Sequence, residues 1–113
     1  MSGPSNELQT LKAEFFRAMA HPARIRILEV LSQYREQSVQ ALQLRLHVDQ
    51  PIVSQQLAKL RAHGVVASRK QGTTVIYAMA DPRIADLLRV AKEILNRRLT
   101  DSRTLLHELR KLG

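Results

Sequence analysis

A mostly α-helical fold with one small β-hairpin is what this sequence predicts, and three observations carry that expectation. Apolar residues recur at helical spacing near both ends of the chain, from Leu8 to Met19 and again from Ile84 to Leu95. Between them, residues 38–63 read as two short helices joined by a tight connection. Two β-branched runs follow at once, 65–70 and 74–78, around the polar tip Gln71-Gly72-Thr73. Helix, turn, helix and a two-stranded antiparallel hairpin, in that order, describe a winged helix-turn-helix with about five to six helices in all.

Each element has its own justification. Residues 1–7 are expected to form a short flexible lead into a single domain spanning 8–113. Asn6 is a good N-cap, so the first helix is predicted over 8–20, ending at His21-Pro22. Its stripe of Leu8, Leu11, Phe15, Phe16 and Met19 offers more apolar surface than a tiny core needs, which predicts a partner subunit. Pro22 suits the first turn of the next helix, where its missing N–H costs nothing. Ile25, Ile27, Leu28, Val30 and Leu31 follow, with Arg24, Arg26 and Glu29 between them, and Tyr34 to Gln37 form the exit. Ser38 is placed to cap a short helix from Val39 to Leu46, and Asp49 to cap the next one, Gln50 to His63. Gly64 ends that helix, and Gly72 supplies the positive φ of a hairpin tip. A post-wing helix over 82–99 carries Ile84, Leu87, Leu88, Ala91, Ile94 and Leu95. Thr100-Asp101-Ser102 is expected to break it before a last helix bearing Leu105, Leu106, Leu109 and Leu112.

Charge narrows the function. The chain is 44% hydrophobic and 25% charged, ordinary for a globular domain, yet its net charge is +8, which favours an acidic partner. The distribution is sharper than the total. Residues 38–80 hold Arg45, Lys59, Arg61, Arg69 and Lys70 against the single acid Asp49. A surface approaching phosphates should be poor in acids in this way.

Within that segment Gln50, Ser54 and Gln55 share one face of the second short helix, at i, i+4 and i+5. Glutamine can pair bidentately with adenine, and serine can reach a base edge or a phosphate, so direct DNA contact is expected; capping and solvation are the plain alternative. Gln56 either reads DNA or packs at the helix flank. Lys59 and Arg61 are expected to anchor phosphates, with Arg45 a weaker candidate. Arg69, Lys70, Thr73 and Thr74 form a basic wing suited to the adjacent minor groove, although an edge hairpin kept soluble by its charges would look the same.

These residues bear a family likeness. Residues 15–28, from Phe15-Phe16-Arg17 through His21-Pro22-Ala23-Arg24 to Leu28, residues 48–61 with Ser54-x-x-Leu57-x-x-Leu60, then Gly64-Val65-Val66 and Arg69-Lys70-Gln71-Gly72, resemble the ArsR/SmtB family of small dimeric winged-helix repressors over about residues 8–100. The resemblance implies a homodimer built mainly from the first and post-wing helices, with Leu8, Leu11, Phe15, Phe16, Met19, Ile84, Leu87, Leu88, Ala91 and Leu95 at the interface. It implies two recognition helices in successive major grooves of a palindromic double-stranded operator, about one turn apart. One departure stands out. Metal-sensing members ligate from the start of the post-wing helix and about three turns on; here those positions read Asp81, Arg83, Ile94 and Arg97, and arginine and isoleucine are no ligands. Members sensing arsenite or lead keep cysteines before the turn, where this chain reads Gln37 to Leu42 without a thiol.

No metal and no cofactor are therefore expected. The chain has no cysteine, which excludes disulfides, thiolate sensing and Cys-ligated metal, and none of its four histidines pairs with another at i+3 or i+4. His21 before Pro22 is expected to be an interhelical structural residue. Catalysis lacks a glycine-rich phosphate loop, a carboxylate pair or a serine elbow around Ser54, so no enzyme is expected. No apolar run reaches the roughly 20 residues needed to span a bilayer, and no signal peptide is recognised, which makes the cytoplasm the expected compartment. The sequence thus predicts a DNA-binding regulator, most simply a repressor; a protein-docking module and a non-specific architectural DNA binder are the competing expectations. The signal stays open between an uncommon cross-dimer metal site, a small organic or anionic ligand between helices, and no ligand.

Overall fold

A computed structural model describes residues 4–112, which divide into two compact units at Pro82 and Arg83. Among the described residues the first unit contains α1 (Pro4–Met19), α2 (Pro22–Tyr34), β1 (Glu36–Ser38), α3 (Val39–Leu46), α4 (Gln50–Ala62), β2 (Val66–Gln71) and β3 (Thr74–Met79). The second unit is one helix, α5 (Arg83–Leu112).

The core of the first unit is where helical spacing puts it. Val53, Leu57 and Leu60 of α4, with Gln56 between them, recur at i, i+3, i+4 and i+7 and turn inward together. They meet Ile27, Leu28 and Leu31 of α2, Leu42 and Leu46 of α3, and Val65 and Val66 at the entry to β2. Leu28, Leu42, Leu57, Leu60 and Val65 are wholly excluded from solvent. Burying one such side chain is worth about 1.5–3 kcal/mol, so this cluster fixes the attitude of α4. Ile52, next to Val53 but off the inward stripe, lies 45% exposed.

Capping follows the sequence at most junctions. Ser38 Oγ accepts from the Ala41 N–H at 3.1 Å, closing the start of α3. Gly64, at φ +70°, ends α4 with a paired signature: its N–H donates to the Arg61 carbonyl at 3.0 Å, and that of Val65 donates to the Leu60 carbonyl at 2.9 Å. Asp49 occupies the N-cap of α4, but its side chain makes no capping bond; its carbonyl instead accepts from Ile52 and Val53. Asn6 lies inside the first turn of α1 rather than before it, since that helix starts at Pro4. Of the expected flexible lead, residues 4–7 are helical and residues 1–3 lie outside the described residues.

Three further findings differ from expectation. The expected two-stranded wing, β2 paired with β3, is present, and β1 adds an unexpected third strand in the order β1-β3-β2. Glu36 pairs with Ala78, Gln37 with Tyr77 and Ser38 with Ile76, so the segment read as an exit from α2 is an edge of the wing sheet. A three-residue polar strand has no period to read, and its pairing comes from tertiary context. The break expected at Thr100-Asp101-Ser102 is absent, because α5 is continuous over 30 residues and Thr100 Oγ1 donates back to the Asn96 carbonyl at 2.9 Å. A hydroxyl satisfied inside the helix in this way loses its reason to cap a new one. Finally, Met19 and Ile84, both expected at a dimer interface, are already buried, at 6% and 5% exposed.

The remaining apolar stripes are open. Leu8, Leu11 and Phe16 on α1 are exposed, and Phe15 is half-buried, packing edge-on against Phe16 with ring centroids 5.7 Å apart. On α5, Leu87 and Leu88 are half-buried, while Ala91 and Leu95 are exposed, as are Leu105, Leu106, Leu109 and Leu112 further along. No helix among the described residues is long and apolar enough to cross a membrane.

Candidate nucleic-acid interface

The face of α4 opposite its buried stripe carries the polar groups predicted for it. Gln50, Ser54, Gln55, Lys59 and Arg61 are all exposed. Between them the exposed surface is made of small side chains, with Pro51, Ala58 and Ala62 joining Ser54. Sequence reading passed over those residues, yet a helix enters a groove closely only when its central side chains are short. With Val53, Leu57 and Leu60 held in the core, α4 is presented as a rod whose polar face is free to meet a duplex.

Gln56 departs from this pattern. It is 7% exposed, and its Oε1 accepts from Arg24 Nε at 2.8 Å. It is therefore withdrawn as a DNA-reading residue: at i+3 from Val53 it belongs to the inward stripe, and a buried amide needs a partner, which Arg24 provides. Arg24 also donates through Nη1 to the Ala18 carbonyl at 3.0 Å, so one guanidinium ties α1, α2 and α4 together. Arg26, two residues on, donates to the Leu46 carbonyl at 2.8 Å and so satisfies the C-terminal end of α3. The sequence places both arginines between the apolar residues of α2 without announcing a partner. Their partners lie 32 and 20 residues away, and no local pattern reveals them.

The turn between α3 and α4 is held by His47, which sits at φ 55°, ψ 45° with its N–H donating to the Gln43 carbonyl at 2.9 Å. His21, expected between helices, is the N-cap of α2, its Nδ1 accepting from the Ala23 N–H at 3.1 Å. Arg45 lies over the Tyr34 ring at 3.4 Å from its centroid and donates to Gln37 at 3.0 Å. It is thus engaged at the base of the sheet rather than held out as a free anchor.

The wing is a two-residue hairpin in which Gln71 faces Thr74. Gly72 takes the first central position at φ +63°, the place where a II′ turn requires positive φ. Lys70, Thr73 and Thr74 are exposed at and beside the tip. Arg69 is exposed as well, but it forms an ion pair with Glu36 at 2.8 Å and donates to Gln71 at 3.0 Å. Glu36 arrives through β1, so the wing carries an acid that the count over residues 38–80 had missed. The pair is half-exposed on both sides, and such pairs are weak enough to exchange for a phosphate. Among the described residues no cluster of three or more His, Cys, Asp or Glu could hold a metal ion.

Comparison with known proteins bears on this geometry. The arsR family of bacterial regulatory proteins matches residues 21–68, the span from the start of α2 into β2. The chain is 48% identical over 110 residues to the HTH-type transcriptional regulator Rv0081 of Mycobacterium tuberculosis, covering 96% of each. The crystal structure of Rv0081 superposes with a TM-score of 0.77 at 49% identity, covering 89% of this chain and 98% of that one. The HTH-type transcriptional repressor SmtB of the same organism is 39% identical over 85 residues, 75% of this chain and 62% of its own. The NMR structure of Mb0332 from Mycobacterium bovis, a homodimeric winged helix-turn-helix DNA-binding domain, gives a TM-score of 0.78 at 26% identity and covers 88% of this chain and 91% of that one.

Proposed function

The chain belongs to the arsR family of bacterial regulatory proteins, and on that premise we propose that it is a homodimeric repressor that binds a palindromic operator through α4 and the wing. The family consists of transcriptional regulators rather than enzymes, with a winged helix-turn-helix that binds double-stranded DNA. Gln50, Ser54 and Gln55 read base edges in the major groove; Lys59, Arg61, Arg69 and Lys70 hold phosphates; Thr73 and Thr74 sit at the wing tip over the neighbouring minor groove. Repression follows from occupancy, since a dimer seated on promoter DNA competes with polymerase. The compartment is the cytoplasm, where bacterial DNA lies.

The observation that carries this reading is the sidedness of α4. Its inward stripe is fully committed to the core, and the opposite face is polar, exposed and free of acids. Dimerisation is supported by the uncovered apolar side chains of α1 and α5, and by the homodimeric state of Mb0332.

Selection of bound sequences from a random DNA pool tests the proposal directly. The wild-type chain is expected to enrich a two-fold symmetric site. Gln55→Ala is expected to weaken that site by about 1–3 kcal/mol per half-site while sparing binding to random DNA. A pool that stays unenriched, or equal losses on enriched and random DNA, overturns sequence reading by this face.

A further inference from the structure

A cavity of about 270 Å³ lies between α1, α2 and the end of α4, lined by Glu14, Arg17, Ala18, Arg24 and His63. It is away from the groove face, and nothing in the proposed DNA contacts uses it. We infer that this cavity binds a small α-hydroxy or α-amino carboxylate, and that the bound molecule loosens the recognition helix.

The lining argues for that chemistry. Two arginines suit one carboxylate, because the guanidinium fork matches its two oxygens. Glu14 opposes a second negative charge and instead accepts from a hydroxyl or ammonium group. His63 adds another acceptor: with Nδ1 donating to the Lys59 carbonyl at 3.0 Å, Nε2 of that tautomer is left to accept a hydrogen bond from a ligand. Two cations beside two acceptors complement a molecule carrying one carboxylate and an adjacent donor.

Coupling to DNA runs through Arg24 and rests on the proposed role of α4. The side edge of its guanidinium consists of Nε and Nη2, and Nε now serves Gln56 at 2.8 Å. A carboxylate taking that edge competes with Gln56, whose backbone neighbour Gln55 faces the groove. Occupancy therefore exchanges a contact that orients α4 for one that does not, and operator affinity falls.

Calorimetric titration of the DNA-free, full-length chain with L-lactate, L-alanine and inorganic phosphate is the test. Lactate or alanine is expected to bind once per subunit with a Kd on the order of 1 mM. Arg17→Gln, which touches none of the ties made by Arg24, is expected to weaken that binding about tenfold. Binding of neither carboxylate, binding of phosphate alone, or binding indifferent to Arg17→Gln overturns the site. Because this measurement involves no DNA, its failure is distinct from failure of the operator reading. In a second arm, the carboxylate that binds is expected to lower operator affinity for the wild type and not for Arg17→Gln; unchanged affinity in the wild type overturns the coupling.

Discussion

At the scale of single residues, neighbouring positions of α4 do opposite work. Gln55 is exposed to solvent, while Gln56 is buried and held by Arg24. The same residue type faces solvent at one position, where it is proposed to read DNA, and packs at the next, and a rotation of one residue on a helix decides which. Arg69 gives a comparable lesson on the wing, since its partner Glu36 comes from a strand the sequence did not announce. Phosphate must displace that carboxylate before it gains Arg69. Glu36→Gln is therefore expected to raise DNA affinity about two- to threefold per wing at low salt, a magnitude set by the weakness of exposed pairs, and the gain should fade as salt rises. Anisotropy titrations at two ionic strengths check this, and an affinity that falls would show Glu36 to be supporting the wing instead.

Elements were legible where their signals were local and obscure where they were not. Helices α1 to α4, the Ser38 cap, the Gly64 stop and the hairpin tip could all be read from periodicity and capping residues, because those features depend on neighbours three to five positions away. β1 could not be read, being three polar residues turned onto β3 by Arg35, which sits at φ 60°, ψ −54°. Continuity of α5 was missed because Thr100, Asp101 and Ser102 have two uses, capping a helix or returning a hydroxyl to the turn behind, and sequence does not distinguish them. The exposed half of the groove face was legible; the arginine ties behind it were not, since their partners are distant in the chain. Gly64→Ala probes the best-defined junction. A methyl there meets nothing within 4 Å, so its cost is purely that of left-handed backbone, about 1 kcal/mol. Urea denaturation should show that loss with an unchanged slope.

For the molecule as a whole, affinity for DNA is expected to depend on having two reading heads. Lys59, Arg61, Arg69 and Lys70 offer several phosphate contacts per subunit, so a dimer should lose about 10³–10⁵ in affinity between 50 and 200 mM salt. Leu11, 62% exposed on α1, is a suitable place to divide the pair. Leu11→Asp is expected to sediment as a monomer and to show about half the wild-type salt slope, one head's share of released counterions. A dimeric Leu11→Asp protein would move the interface off this stripe.

The side chains of Gln50, Ser54 and Gln55 are exposed and make no hydrogen bond to other described residues, so no such bond of the fold depends on their identity. On the proposed reading, mutational drift there would rewrite the preferred target without threatening the scaffold, whereas a change at Gln56 disturbs its tie to Arg24. A lineage carrying this architecture can thus acquire new regulons cheaply, three letters at a time.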